Sequence, residues 1–104
     1  MIVVNTETIP GREFDVITLV SGCAVMCKDF GRDIGASFRN LVGGEMKSYS
    51  DMLAEARNKS IGYMIEDAQR YNADAIVAVH LTSSNIVQGG AELIAYGTAV
   101  KFRQ

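Results

Sequence analysis

The sequence predicts a small α/β domain of the α+β kind: a mixed four-stranded sheet in the order β-β-α-α-β-β, with one long amphipathic helix packed on one face. Three observations predict it. Apolar residues stand at both parities from Glu13 to Met26, they recur every three to five positions from Glu45 to Tyr71, and two compact apolar runs, Ala75–Leu81 and Leu93–Phe102, flank a glycine-bearing turn. At 104 residues the chain has the length of one domain with one core. No linker, repeat or low-complexity tract divides it, so residues 1–104 are read as a single domain.

Ile2–Val4 is a short β-branched run closed by Thr8-Ile9-Pro10-Gly11, where proline presets φ and glycine relieves the turn. Ile17, Leu19, Cys23, Val25 and Cys27 share one parity of the second segment; Phe14, Val16, Val20, Ala24 and Met26 share the other. A strand apolar on both faces is buried on both. Gly31-Arg32-Asp33-Ile34 breaks it, and Asp33 suits the N-cap of a short helix through about Val42, which Gly43-Gly44 ends. Met46, Tyr49, Leu53, Ala56, Ile61, Met64, Ala68 and Tyr71 then form the stripe of the long helix. Gly62 interrupts that helix at a cost of about 1 kcal/mol relative to alanine, which predicts close approach of a neighbouring backbone. Asn72 suits the left-handed residue that ends it. The last two runs, joined through Asn85-Ile86-Val87-Gln88-Gly89-Gly90, read as a hairpin. A helical crossover permits parallel pairing of the second and third strands.

Composition excludes several classes. Apolar residues make up 48% of the chain and charged residues 21%, which is globular rather than disordered. The net charge is −2, with 10 basic and 12 acidic residues in no run of one sign, against the clustered basic face of a nucleic-acid binder. The longest stretch free of acidic and basic residues, Ala75–Ala91, contains His80, Thr82, Ser83, Ser84, Asn85 and Gln88, so it does not cross a bilayer of roughly 30 Å as an apolar helix. The first residues lack a basic start and a cleavable apolar region, and a cytoplasmic location is expected. Two cysteines make no disulfide framework and are read as reduced thiols. One long and one short helix cover a single sheet face, so the second apolar face is expected to be buried by self-association.

Candidate chemistry is sparse. Cys23 and Cys27 invite a soft-metal reading, since thiolates are preferred ligands of soft and borderline ions. Four residues of extended strand span about 13 Å, whereas two thiolates on one ion lie within about 5 Å, so one chain shares an ion between them only if the strand ends near Ala24. Otherwise each subunit brings a cysteine to a common axis, or both are core thiols. His80, the only histidine, has the parity of Ile76, Ala78 and Thr82 and reads as a satisfied structural group or a third metal ligand. Glu45 fits the positive end of the helix dipole, and Glu92 a charge at a strand edge; both are also candidates for a ligand at a subunit interface. Neither a nucleophile elbow nor a phosphate-binding glycine pattern is present.

Gly31-Arg32-Asp33-Ile34, Val42-Gly43-Gly44-Glu45, Tyr49 with Ala54-Glu55-Ala56-Arg57, Asn72-Ala73-Asp74-Ala75-Ile76-Val77 and Ala95-Tyr96-Gly97-Thr98-Ala99-Val100 together resemble the YbjQ family, bacterial and archaeal proteins of unknown function that carry a heavy-metal-binding label. The resemblance implies a dodecin-like subunit assembled into a ring, most simply a pentamer, and no established reaction. Neither cysteine lies in the matched stretches. The resulting expectation is a non-enzymatic, ring-forming binding protein with its ligand at a subunit interface or on the axis. Two alternatives stand beside it: a soft divalent metal binder using Cys23 or Cys27 with His80, and an interface-assembled hydrolase or transferase built on Glu45, Glu92 and His80.

Overall fold

In a computed structural model of the chain, which describes residues 1–27, 44–84 and 90–104, the apolar runs become strands and the periodic stripe a helix. The elements are β1 (Ile2–Val3), β2 (Phe14–Cys27), α1 (Gly44–Gln69), β3 (Ala75–Ser84) and β4 (Gly90–Phe102). The expected break at Gly31–Ile34, the short helix from Asp33 and the connection through residues 85–89 lie outside the described residues. No helix among the described residues is long and apolar enough to cross a membrane.

The four strands form one mixed sheet in the order β1-β3-β4-β2. β3 and β4 pair antiparallel, as the hairpin reading requires, and β1 pairs parallel with β3. β2 and β3 run in the same direction, but β4 lies between them. The parallel neighbours are therefore β1 and β3 rather than β2 and β3. Length explains the choice: the 14 residues of β2 find a ladder of matching length in the 13 of β4, longer than the 10 of β3 offer.

α1 lies across β2 and β4 and reaches β3 only at its margin. Ala56, Ser60, Met64 and Ala68, each fully buried, fall at every fourth residue and form the contact ridge. Ser60 tolerates burial because its hydroxyl donates to the Arg57 carbonyl at 2.9 Å. Opposite this ridge is Gly22, where a Cβ would collide with the Ser60 carbonyl oxygen and the Met64 amide nitrogen. The glycine of close approach is thus in the strand. A Cβ at Gly62 would meet nothing within 4 Å, contrary to the expectation for that position. Tyr71, at the end of the expected stripe, is exposed because the helix stops at Gln69.

Two apolar clusters hold the layers. Val20, Met64, Ala68, Ile76, Ala95 and Ala99 fill the space between helix and sheet, joined by Ile17 and Val79. Ala75, Val77 and Val100 lie on the opposite face, where Val4, Ile9, Phe14 and Phe102 cover them. That cover comes from the N-terminal turn: Gly11 sits at φ 76°, the Arg12 N–H donates to the Ile9 carbonyl at 3.1 Å, and the Arg12 guanidinium lies 4.5 Å above the Phe102 ring. No described residue covers the remainder of this face. Principal extents of 57 × 23 × 17 Å and a radius of gyration of 17.2 Å, against about 13 Å for a compact domain of this length, describe a slab with little interior.

Helix exit and last strand are tied by polar groups. Asn72 adopts φ 58°, as its residue type suggested, and ends the helix. Asp74 accepts from the Phe102 N–H at 2.8 Å and from Lys101 Nζ at 3.4 Å, while Lys101 Nζ also donates to the Asn72 carbonyl at 3.0 Å. The Phe102 amide first, and Lys101 after it, hold the Asp74 carboxyl below its ordinary value of 3.8.

Two outcomes follow for stability. Gly22→Ala forces a methyl group into helix backbone and is expected to destabilise by about 2 kcal/mol or more, whereas Gly62→Ala places a better helix former in open space and is expected to stabilise by about 1 kcal/mol; urea denaturation of both variants checks the pair. Because folding lowers the Asp74 pKa, its contribution is present above the ordinary carboxylate value and is lost as pH falls through the lower folded value. Asp74→Asn should therefore flatten the loss of stability below about pH 4, as read by melting temperature against pH.

Candidate functional site

The register of β3 decides which side chains share the bare face. Val77 opposes Thr98 and His80 opposes Tyr96, so Ala78 and Val79 together face the single residue Gly97. This is a β-bulge. Ala78 takes φ 54°, its N–H donating to the Thr6 carbonyl at 2.8 Å, and the Val79 N–H donates to the Val4 carbonyl at 3.1 Å. Room for the extra residue comes from Gly97, whose Cβ would lie 2.8 Å from Ile76 Cγ2 and 3.0 Å from Val79 Cγ2.

A shift of one residue sends every later side chain to the other face. Val79 enters the core in place of His80, and His80 moves to the uncovered face. The parity argument that placed His80 with Ile76 and Ala78 fails at the bulge. His80 is exposed, its ring stacked on Tyr96 with centroids 5.6 Å apart and planes 18° from parallel. Nδ1 lies 2.9 Å from the Ala78 carbonyl, which accepts only, so in the neutral ring the proton sits on Nδ1.

Beyond the N-terminal cover, the same face carries Leu19, Ser21, Cys23 and Val25 from β2; Tyr96, Ile94 and Glu92 from β4; and His80, Thr82 and Ser84 from β3. Leu19 is 68% exposed and Val25 56%. No element among the described residues covers them. Cys23 is exposed as well, so its core-thiol reading does not hold.

Glu92 is the centre of the polar part of this face. It is half-buried on β4, which lies between β2 and β3 and is not an edge. The Ser84 hydroxyl donates to Oε1 at 3.0 Å and the Cys23 thiol to Oε2 at 3.8 Å. Desolvation, then the charge of Glu92 and this hydrogen bond, push the Cys23 thiol above its ordinary 9.0. The thiol is accordingly protonated at neutral pH.

Other candidates do not join this group. β2 stays extended through Cys27, opposite Gly90, which keeps the two cysteines about 13 Å apart along the strand. The side chains of Cys27 and of Glu45, second residue of α1, lie outside what the structure describes. His80 is two residues along β4 and two strands across from Cys23. Ser84 gives its hydroxyl to Glu92 and not to His80, so the nucleophile–base contact of a hydrolase is not made by these two. Among the described residues no three His, Cys, Asp or Glu side chains are gathered for a metal ion. Sequence reading missed Ser84 as a partner of Glu92, and the signal that would have found it is the register, which a one-residue bulge hides.

A model of the YbjQ family, described as "Putative heavy-metal-binding", matches residues 1–103. A UPF0145 protein of Clostridium perfringens is 52% identical over 101 residues, covering 96% of this chain and 95% of that protein. A UPF0145 protein of Thermotoga maritima is 47% identical over 105 residues, covering 100% and 99%. A crystal structure of a protein of unknown function from Pediococcus pentosaceus, assigned in its description to the DUF74 family, is similar in fold with a TM-score of 0.64 over 99% of this chain and 98% of that one, at 13% identity.

The bulge predicts a single neutral tautomer for His80. Long-range nitrogen–proton NMR at alkaline pH is expected to show the proton on Nδ1, and Ala78→Pro, which cannot take a positive φ, to abolish that preference together with the Tyr96 ring-current shift.

Proposed function

The chain belongs to the YbjQ family, and from that premise we propose that it is the non-enzymatic subunit of a ring-forming homo-oligomer, a pentamer, that holds a soft divalent metal ion between copies through Cys23 and Glu92. The observation that supports this reading is the 3.8 Å separation of Cys23 Sγ and Glu92 Oε2 on an exposed face. A zinc-like ion bonded to sulfur at about 2.3 Å and to oxygen at about 2.1 Å in tetrahedral geometry sets its two donors about 3.6 Å apart. The pair therefore fits one ion with almost no movement.

Two donors are half of a tetrahedral set. With no third His, Cys, Asp or Glu side chain beside them among the described residues, the remaining ligands come from other copies, and the bare apolar positions Leu19 and Val25 supply the surface that brings the copies together. Ser84 holds the far oxygen of Glu92 and leaves the near one to the ion. His80, locked with Nε2 as its open nitrogen, is a further donor for an ion shared with a neighbouring copy. In a reducing cytoplasm Cys23 remains a thiol, as this role needs.

The raised thiol pKa sets the pH dependence. An ion must displace the Cys23 proton, so affinity is expected to rise about tenfold per pH unit up to the thiol pKa. Purified protein loaded with zinc or cadmium and dialysed is expected to retain metal by elemental analysis, with Cys23→Ser losing it and Glu92→Gln binding about 10- to 100-fold more weakly. Native mass spectrometry should find metal on the assembled ring and none on single chains. Wild type and Cys23→Ser both emerging metal-free would end the metal reading.

A further inference from the structure

Ala78 sits inside β3 at φ 54°, a conformation that alanine adopts only where its surroundings impose it. The N-terminal segment imposes it here. The Ala78 N–H donates to the Thr6 carbonyl at 2.8 Å and the Val79 N–H to the Val4 carbonyl at 3.1 Å. On its other side the Ala78 carbonyl lies 2.9 Å from His80 Nδ1. The segment is seated in turn by apolar contact: Val4 and Ile9 pack on Ala75, Val77 and Val100, and the Arg12 guanidinium stands 4.5 Å from the centre of the Phe102 ring.

Without the bulge, β3 would continue the register of its first residues. Ala78 would then oppose Gly97, Val79 would oppose Tyr96, His80 would oppose Ala95, and Ser83 would oppose Glu92. The sequence suits that arrangement as well. Val79 and Leu81 would join Tyr96 and Ile94 on the face opposite the helix, and Glu92 would exchange the hydroxyl of Ser84 for that of Ser83. In the observed register Val79 packs into the core, but Leu81, which shares the helix side with Ala95, stays 44% exposed because α1 reaches β3 only at its margin. Each register therefore gives shelter to apolar groups that the other does not. Where both faces of a strand tolerate either set of side chains, the side chains specify register weakly, and the choice falls to whatever holds the bulge.

We propose that residues 4–6 are a register lock. Seated on β3, they hold the bulge and keep His80 on the face opposite the helix. Unseated, they let the bulge collapse, so that Val79 and Leu81 take that face and His80 turns to the helix side. The strain of an alanine at positive φ and the gain from two backbone hydrogen bonds are of similar size, and loss of those bonds removes what offsets the strain. The lock is a property of the single chain and needs no metal. Withdrawal of a metal donor on release is a consequence that rests on the reading above, and the test does not depend on it.

NMR of the metal-free, full-length protein tests the lock. Wild type is expected to keep the His80 ring on Tyr96 as its main state and to show microsecond-to-millisecond exchange across residues 78–84 by relaxation dispersion. Ile9→Ala loosens the seat and is expected to raise the minor population at least about threefold. Ala78→Gly removes the strain and is expected to suppress the exchange, both alone and combined with Ile9→Ala. Ala78→Val places a β-branched residue where positive φ excludes it, and is expected to bring the Val79 methyl groups onto Tyr96 in place of His80. Exchange that Ile9→Ala fails to raise, or that Ala78→Gly fails to suppress, overturns the lock. A folded Ala78→Val that keeps His80 on Tyr96 overturns it too; should that variant not fold, the Ile9→Ala and Ala78→Gly comparison decides alone.

Discussion

The contact between the backbone of α1 and Gly22 is the constraint from which the rest of the structure follows. Where Ser60 and Met64 cross the strand there is no space for a Cβ, and the residues above and below, Ala56 and Ala68, are small enough for the helix to sit flat. Close approach brings many atoms into van der Waals distance at once, which is how a thin two-layer slab gains stability without large side chains. It also fixes where the helix lies. A helix centred on β2 and β4 leaves most of β3 and the whole opposite face to other cover, and the N-terminal turn covers only the end near Val77 and Val100.

What remains bare is the surface on which chemistry is possible. Its composition is mixed: Leu19 and Val25 are apolar, Ser21, Thr82 and Ser84 carry hydroxyls, and Cys23, Glu92 and His80 can ligate. Such a face is polar enough to be tolerated in water and apolar enough to be buried between copies. The metal description attached to the family agrees in kind with the thiol and carboxylate brought together there, and among the described residues no third His, Cys, Asp or Glu side chain joins that pair.

A second local constraint, the bulge at Ala78, places the only histidine. An alanine at positive φ is an uncommon choice for such a position, since glycine or asparagine takes that conformation with less strain. Here the conformation is held by hydrogen bonds from the Ala78 and Val79 amides to the N-terminal segment, and the crowding it causes is absorbed by Gly97. The N-terminal segment thus covers one end of the face opposite the helix and also sets the register that delivers His80 to the uncovered part of that same face.

Much of this was legible in the residues. Alternation and periodicity located β2, α1 and the β3–β4 pair, and Asn72 announced the left-handed residue that ends the helix; β2, read from its apolar parities as buried on both faces, instead leaves Val16, Leu19 and Val25 exposed. The elements and the helix end are local properties, governed by the preferences of a few neighbouring residues. Other features belong to tertiary structure alone. The glycine against the helix was Gly22 rather than Gly62 because docking, not helix propensity, chose the point of contact. His80 changed faces because a bulge inserted one residue, and Cys23 met Glu92 and Ser84 because three strands fell into one register. Each depends on the position of a partner distant in sequence, and no local preference encodes a distance between segments that have not yet met.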